Sequence, residues 1–295
     1  MTLYTHISSN IFRTWLLMAL FLVFVIGLGW VFSRALGNPS ILVFAVVFSL
    51  IMNIVSYWYS DKIALAISRA KPIEKKDNPE LYRLVENLCI TAGLPLPKIY
   101  IMQEVQPNAF AAGRDKDHAV VAVTSGLLQK LDKTELEGVI AHELSHIGNR
   151  DILLMTVVVV LVGFVAILSN IFLRSLFFGG LGGRGRSNRG GGYLALIGVA
   201  LAIIAPIVAV LIKLAVSRKR EFLADASGAL LTRYPDGLAR ALAKIADDRT
   251  PLKAATDATA HLFISSPLKG KNFSSIFQTH PPIEERIKRL REMQA

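Results

Sequence analysis

Only one of the 295 residues is a cysteine, Cys89, which excludes an intramolecular disulfide and any metal site built on cysteine pairs. Cys89 falls within the helical spacing of Leu81, Leu84, Val85 and Leu88 and reads as a small buried apolar residue. No G-x-x-x-x-G-K-[ST] run is present, so nothing points to nucleotide hydrolysis. Basic residues outnumber acidic ones and give a net charge of +11. No aromatic-basic stripe or nucleic-acid motif accompanies that charge, so a nucleic-acid partner is not expected. Charged residues are only 19% of the chain, and residues 15–32 and 40–59 contain none.

What the chain has instead is apolar residues in blocks. Hydrophobic residues make up 53% of it, the mean hydropathy is +0.46, and two further runs, 152–173 and 194–216, join the first pair. Each approaches the roughly 20 residues that a helix needs to cross a bilayer. Lys213 lies near the end of the fourth run, where it can snorkel. A cleaved signal peptide is the alternative for the first run, but the run is long for that purpose and no A-x-A-like site follows it. Four spans are expected, dividing the chain into a membrane hairpin (1–60), a first soluble part (61–151), a second hairpin (152–216) and a second soluble part (217–295).

Lys and Arg flanking these runs, among them Arg13, Lys62, Arg69, Lys71, Arg150, Arg218 and Lys219, favour a cytoplasmic position for both soluble parts. Arg184, Arg186 and Arg189, in the glycine-rich stretch 179–192, lie on the opposing side. A re-entrant hairpin for the third and fourth runs would remove that conflict, and stands as the alternative. The expected class is mainly α with an α+β soluble portion: a four-helix integral membrane protein carrying a small β-sheet in its soluble domain.

Locally, Asn78, Pro79 and Glu80 open a helix that ends at Gly93. Residues 98–102, 108–113 and 118–124 read as short strands. Asp132, Thr134 and Glu135 supply a capping-box start to the next helix.

That helix carries His142-Glu143-Leu144-Ser145-His146, an H-E-x-x-H run. Its two histidines lie one turn apart on one face, so both imidazoles can bind one metal ion. Glu143 is offset around the helix, and suits removal of a proton from the attacking water better than direct ligation. A catalytic zinc needs a third ligand and an open position. Glu221, just beyond the fourth apolar run, is the candidate. Asp225 shares its helix face and can accept the free ring N–H of a ligating histidine. A helical hairpin between the two motifs would return the chain to the membrane face it left, bringing them together. His6, His118 and His261 have no partners at ligand spacing and read as surface or core histidines.

The H-E-x-x-H run followed by Asn149 and Asp151, Glu221 with Asp225, and His280-Pro281-Pro282 with Arg286 together resemble the HtpX family of bacterial membrane metallopeptidases. A more distant similarity is to the CAAX prenyl proteases, which share the gluzincin pattern. The resemblance covers essentially the whole length. It implies one Zn2+ per chain held by His142, His146 and Glu221, Glu143 as general base, and proton transfer onward to the leaving amine. It further implies His280 as a donor to the oxyanion, though a structural histidine is the alternative there. Asn108, Ala109, Phe110 and Ala111 would form an edge along which substrate adds as a strand, unless this is a plain strand. Arg286 would pair with Asp225 or stand in solvent. The implied substrates are misfolded or damaged membrane proteins and unfolded polypeptides, cut beside the bilayer at the bacterial cytoplasmic (inner) membrane. Two rival readings are a CAAX-type processing protease and a non-enzymatic scaffold with a structural metal; the scaffold is disfavoured because no fourth protein ligand is evident.

Overall fold

A computed structural model describes residues 3–179, 218–248, 250, 259, 262–265 and 281–293, with backbone alone for 3–6, 35–36 and 166–179. The glycine-rich stretch 179–192 and the fourth apolar run therefore lie outside the described residues, apart from the last residue of a helix at Gly179.

Two apolar helices open the chain, α1 (Leu3–Leu36) and α2 (Ser40–Ile67). At about 1.5 Å per residue, both exceed the roughly 30 Å of a hydrocarbon core. Their axes come close where Gly29 meets Ala45, leaving no room for a β-carbon on the glycine. The Asn53 amide donates to the Met18 carbonyl at 3.3 Å, tying the hairpin internally. A third helix, α6 (Asp151–Gly179), packs on this pair. Leu17, Phe21 and Val25 of α1 bury against Leu154, Val157, Val158 and Leu161 of α6, and Phe48 of α2 stacks on Phe164 at 4.4 Å.

Among the described residues, α1 and α2 each have the length and hydropathy of a span. The described part of α6 passes that test only together with the helix before it, α5 (Lys133–Gly148), from which it is bent by 86°. Run three thus follows the histidine-bearing helix at once in sequence but not in direction. The turn is made at Arg150, whose φ of +56° is left-handed.

The sheet joins β1 (Lys71–Pro72), β2 (Lys98–Met102), β3 (Ala109–Gly113) and β4 (Ala119–Thr124) in the order β1-β2-β4-β3. Strands β2 and β4 are parallel and the other pairs antiparallel. β4 begins one residue later than expected, because Lys116–His118 form a short 3-10 turn capped by the Asp115 carboxylate. Strands β3 and β4 are buried along their whole length, and the period of two explains how. Phe110, Ala112, Val120 and Ala122 face Ala64 and Leu65 of α2 and Met155 and Val159 of α6. Ala109, Ala111, Val121 and Val123 face the core of the soluble part.

Helix α3 (Pro79–Ala92) starts on Asn78, whose side chain accepts from the Leu81 N–H, and stops at Gly93 with φ +65°. The remaining helices are α4 (Ser125–Lys130), α7 (Arg218–Thr232), α8 (Pro235–Asp247) and α9 (Ile283–Glu292). Val139, Ile140, Leu144 and Ile147 of α5 form the centre of their common core with Leu238, Leu242, Ile245 and Leu290. The expected class, mainly helical with a small mixed sheet and apolar membrane helices, is the one observed.

Candidate metal centre

Helix α5 is launched by a complete capping box, in which the Asp132 carboxylate accepts from the Glu135 N–H and the Glu135 carboxylate from the Asp132 N–H. Three turns later, His142, Glu143 and His146 are all buried. Helix α7 crosses α5 at Gly228, where a β-carbon would stand 2.9 Å from the His142 backbone nitrogen. That close approach brings Glu221 of α7 to the two imidazoles.

His142 Nε2 lies 3.1 Å from His146 Nε2. Glu221 reaches both rings, with Oε1 3.6 Å from His146 Nε2 and Oε2 3.9 Å from His142 Nε2. The other nitrogen of each ring is committed elsewhere: His142 Nδ1 to Asp225 Oδ1 and His146 Nδ1 to Asp151 Oδ2, both at 3.0 Å. If each Nδ1 carries the proton that it donates, both Nε2 atoms are acceptors, as is the carboxylate between them. Three acceptors turned inward repel, a repulsion that Arg286, 3.5 Å from Glu221 Oε2 and from His142 Nε2, offsets in part and that a bound cation or extra protons would offset further. Two donors on one tetrahedral zinc at about 2.0–2.1 Å would be about 3.3–3.4 Å apart, so the donor set fits such an ion in chemistry and in size. No other group of histidine, cysteine or acidic residues among the described residues has this form.

The surrounding charges are strongly biased. Arg286 is fully buried and holds Asp225 with two bonds, from Nε at 2.8 Å and NH2 at 2.7 Å, while NH1 donates to the Ile264 carbonyl at 2.9 Å. Burial opposes ionisation of Asp225, yet Arg286 and His142 hold its carboxyl down at about 2. Burial lowers His142. At His146 burial acts in the same direction, but Asp151 and Glu221 outweigh it and lift the imidazole to about 9. Burial pushes Glu143 up to about 7, with an N–H bond from Ala111 acting the other way.

That last contact places β3 beside the centre. The Asn108 carbonyl accepts from the Thr124 N–H at 2.9 Å, so the backbone groups of Ala109, Ala111 and Gly113 point away from β4. The outer edge is partly taken by the chain itself. The Ala109 carbonyl accepts from the Ile264 N–H at 3.0 Å, the Asn108 amide donates to the Ser265 carbonyl at 3.1 Å, and the Gly113 N–H meets Thr156 Oγ1 at 3.3 Å. The Phe110 side chain turns to the opposite face, onto Phe263. Of the four edge residues expected to meet substrate, Ala111 is the one whose backbone N–H bonds to Glu143.

His142, Glu143, His146, Glu221 and Asp225 are thus brought together, and Arg286 is an ion-pair partner rather than a solvated cation. His280 and His261 lie outside the described residues, as does the His6 side chain. His118 is exposed and bound to Asp115 at 2.7 Å. Asp151, named in the run that carries the family resemblance, had no role assigned from the sequence; its contact with His146 shows only in three dimensions.

Peptidase family M48 matches residues 75–294, a span that contains every residue of this centre. The protease HtpX homolog of Caldanaerobacter subterraneus is 46% identical over 99% of this chain and 98% of its own length. That of Syntrophobacter fumaroxidans is 46% identical over 96% and 99%, and that of Thermococcus sibiricus 47% over 95% and 96%. Among solved structures, S. mikatae Ste24p superposes with a TM-score of 0.50 at 19% identity, covering 94% of this chain and 66% of that one. Similarity of this extent runs through both the apolar helices and the H-E-x-x-H helix, and it makes the chain a membrane metalloprotease of peptidase family M48, in its HtpX branch.

Proposed function

We propose that the chain is a zinc endopeptidase whose ion is held by His142, His146 and Glu221, and that it cuts misfolded or damaged membrane proteins close to the cytoplasmic face of the bacterial inner membrane. The observation that carries this reading is the convergence of His142 Nε2, His146 Nε2 and the Glu221 carboxylate within 4.8 Å of one another, with Glu143 buried beside them. When bound, zinc supplies Lewis acidity that polarises a peptide carbonyl and makes water a nucleophile near neutral pH.

The chain's own residues do the rest. Glu143 takes the proton of the attacking water on its carboxylate and returns it to the departing amine, so no covalent enzyme intermediate is needed. Asp225 and Asp151 keep the two imidazoles turned inward by holding each Nδ1–H. An extended substrate segment meets β3 at Ala111, because Asn108 and Ala109 are paired with residues 264 and 265. His280 donates to the developing oxyanion. The bend between α5 and α6 supports cleavage near the bilayer, since it sets the histidine helix across the end of a membrane helix.

Cleavage of a membrane-protein reporter by detergent-purified, zinc-loaded protein tests this, with metal content measured in parallel. Glu143→Gln is expected to keep zinc and lose cleavage by about 100-fold or more, and Glu221→Ala to lose zinc. Cleavage by both variants at the wild-type rate would refute the assignment.

A further inference from the structure

The centre is supported from a direction that its motifs do not mention. Asn10 is a buried amide near the start of α1, 4% exposed, on a helix that packs mainly through apolar residues. Its Nδ2 donates to Asp151 Oδ1 at 2.6 Å and to the Asn149 carbonyl at 3.2 Å. Its Oδ1 accepts from Arg220 NH1 at 3.5 Å, and Arg220 Nε lies 3.6 Å from the same Asp151 oxygen.

Each of these partners touches the support of a ligand. Asp151 uses its second oxygen, Oδ2, to hold His146 Nδ1 at 3.0 Å. Asn149 is the cap that ends α5, one turn beyond His146's own. Arg220 directly precedes Glu221 on α7. One side chain of the first membrane helix therefore bonds to the end of α5, the start of α6 and the start of α7.

We infer that Asn10 is a positioning residue of the metal centre, which sets the Asp151 carboxylate and, through it, the orientation of His146. The inference rests on reading His142, His146 and Glu221 as the zinc ligands. The physical argument concerns Asp151. A buried carboxylate needs donors for both oxygens. Without the Asn10 amide, Oδ1 keeps only the longer contact with Arg220, and the carboxylate is free to rotate toward that guanidinium and away from His146. Groups that orient a ligating histidine in this way typically contribute about 10- to 100-fold to metal affinity. Docking of α1 and metal binding are then coupled, so the membrane hairpin is part of the site as well as its anchor.

The test uses the full-length protein in detergent. Zinc affinity is measured by competition with a chelator, and ligand geometry by the visible absorption of the cobalt-substituted protein. Asn10→Leu, close to asparagine in volume but without an amide, is expected to weaken zinc binding about 10- to 100-fold and to alter the cobalt spectrum. Asn10→Gln, which keeps an amide donor, should recover most of that loss. Should Asn10→Leu not fold, Asn10→Ser carries the same expectation, since its hydroxyl is too short to reach Asp151.

Asn53→Leu is the control. It removes an amide bond between the two helices of the hairpin, from Asn53 to Met18, and should lower hairpin stability while leaving zinc affinity and the cobalt spectrum unchanged. Wild-type zinc affinity in Asn10→Leu, or equal weakening in Asn10→Leu and Asn53→Leu, overturns the inference. His146→Ala separates this from the reading beneath it: if that variant also binds zinc at wild-type affinity, the ligand assignment is wrong and the positioning role falls with it.

Discussion

Arg286 grips Asp225 in a two-pronged ion pair, Nε to Oδ2 at 2.8 Å and NH2 to Oδ1 at 2.7 Å, with neither side chain reaching solvent. The pair ties α9 to α7 and keeps the oxygen that faces His142 in place. Removing the cation alone leaves a buried carboxylate short of partners, a loss of about 3–5 kcal/mol. Arg286→Met is therefore expected to unfold at markedly lower denaturant. Arg286→Lys should rescue little, since an ammonium cannot supply the parallel fork. Arg286→Met combined with Asp225→Leu should cost less than the two single changes together. Unfolding curves in detergent decide it, and a lysine variant as stable as wild type would show that the fork is not needed.

Gly228 makes a sharper demand. In an exposed helix, alanine would be favoured over glycine by about 1 kcal/mol. Here the added carbon would stand 2.9 Å from the His142 nitrogen and 3.2 Å from the Ala141 carbonyl carbon, both backbone atoms that cannot move aside. Helix α7 would have to withdraw from α5 and take Glu221 with it. Gly228→Ala should lower both stability and zinc affinity. A variant more stable than wild type, with unchanged metal content, would mean that the two helices have slack at this crossing.

How far the residues alone could be read depends on the range of the interaction. The H-E-x-x-H spacing, the Asn78 cap and the Asp132–Glu135 box are local, within one helical turn, and the structure has each of them. Glu221 and Asp225 were found through topology, since apolar runs between the two motifs imply a return to the same face. Asn10 and Ile264 were out of reach for a different reason, and Asp151 was marked only as part of the run that carries the family resemblance, with no role assigned. Asn10 and Asp151 are 141 residues apart, and neither has a partner at a spacing that helix or strand geometry would mark. The use of the β3 edge by residues 264 and 265 was missed for the same cause, because residues 262–265 show no strand alternation to announce a pairing.

The start of α5 allows stability to be separated from function. Asp132 caps the helix from an exposed site three turns from His142, and Glu135 completes the box while also pairing with Lys244 at 2.7 Å. Asp132→Ala should cost about 1 kcal/mol and leave cleavage per folded molecule unchanged. Thermal unfolding combined with active-site-normalised rates measures both. A parallel fall in zinc affinity would show that fraying at this end travels along the helix to the histidines.

Metal removal should act unevenly over the molecule. The proposed ligands come from only two elements, His142 and His146 from α5 and Glu221 from α7, so the ion links those helices directly and the membrane hairpin indirectly, through the bonds of Asn10 to Asn149, Asp151 and Arg220. An ion that binds only the folded state stabilises it by RT ln(1 + [L]/Kd), about 4 kcal/mol at a thousandfold excess over Kd. Chelation should therefore speed amide hydrogen exchange in α7 and in the second half of α5, with the centres of α1 and α2 unchanged. Glu221→Ala should show the fast pattern from the start and respond no further to chelator. Without the ion, the inward-facing nitrogens and the carboxylate have only protons and the Arg286 guanidinium, 3.5 Å from Glu221 Oε2, to offset their repulsion, and α7 loses the bond that the ion would make to α5 at the Glu221 end. Exchange that rises equally in every helix, or a Glu221→Ala protein that still responds to chelator as wild type does, would place the ion elsewhere.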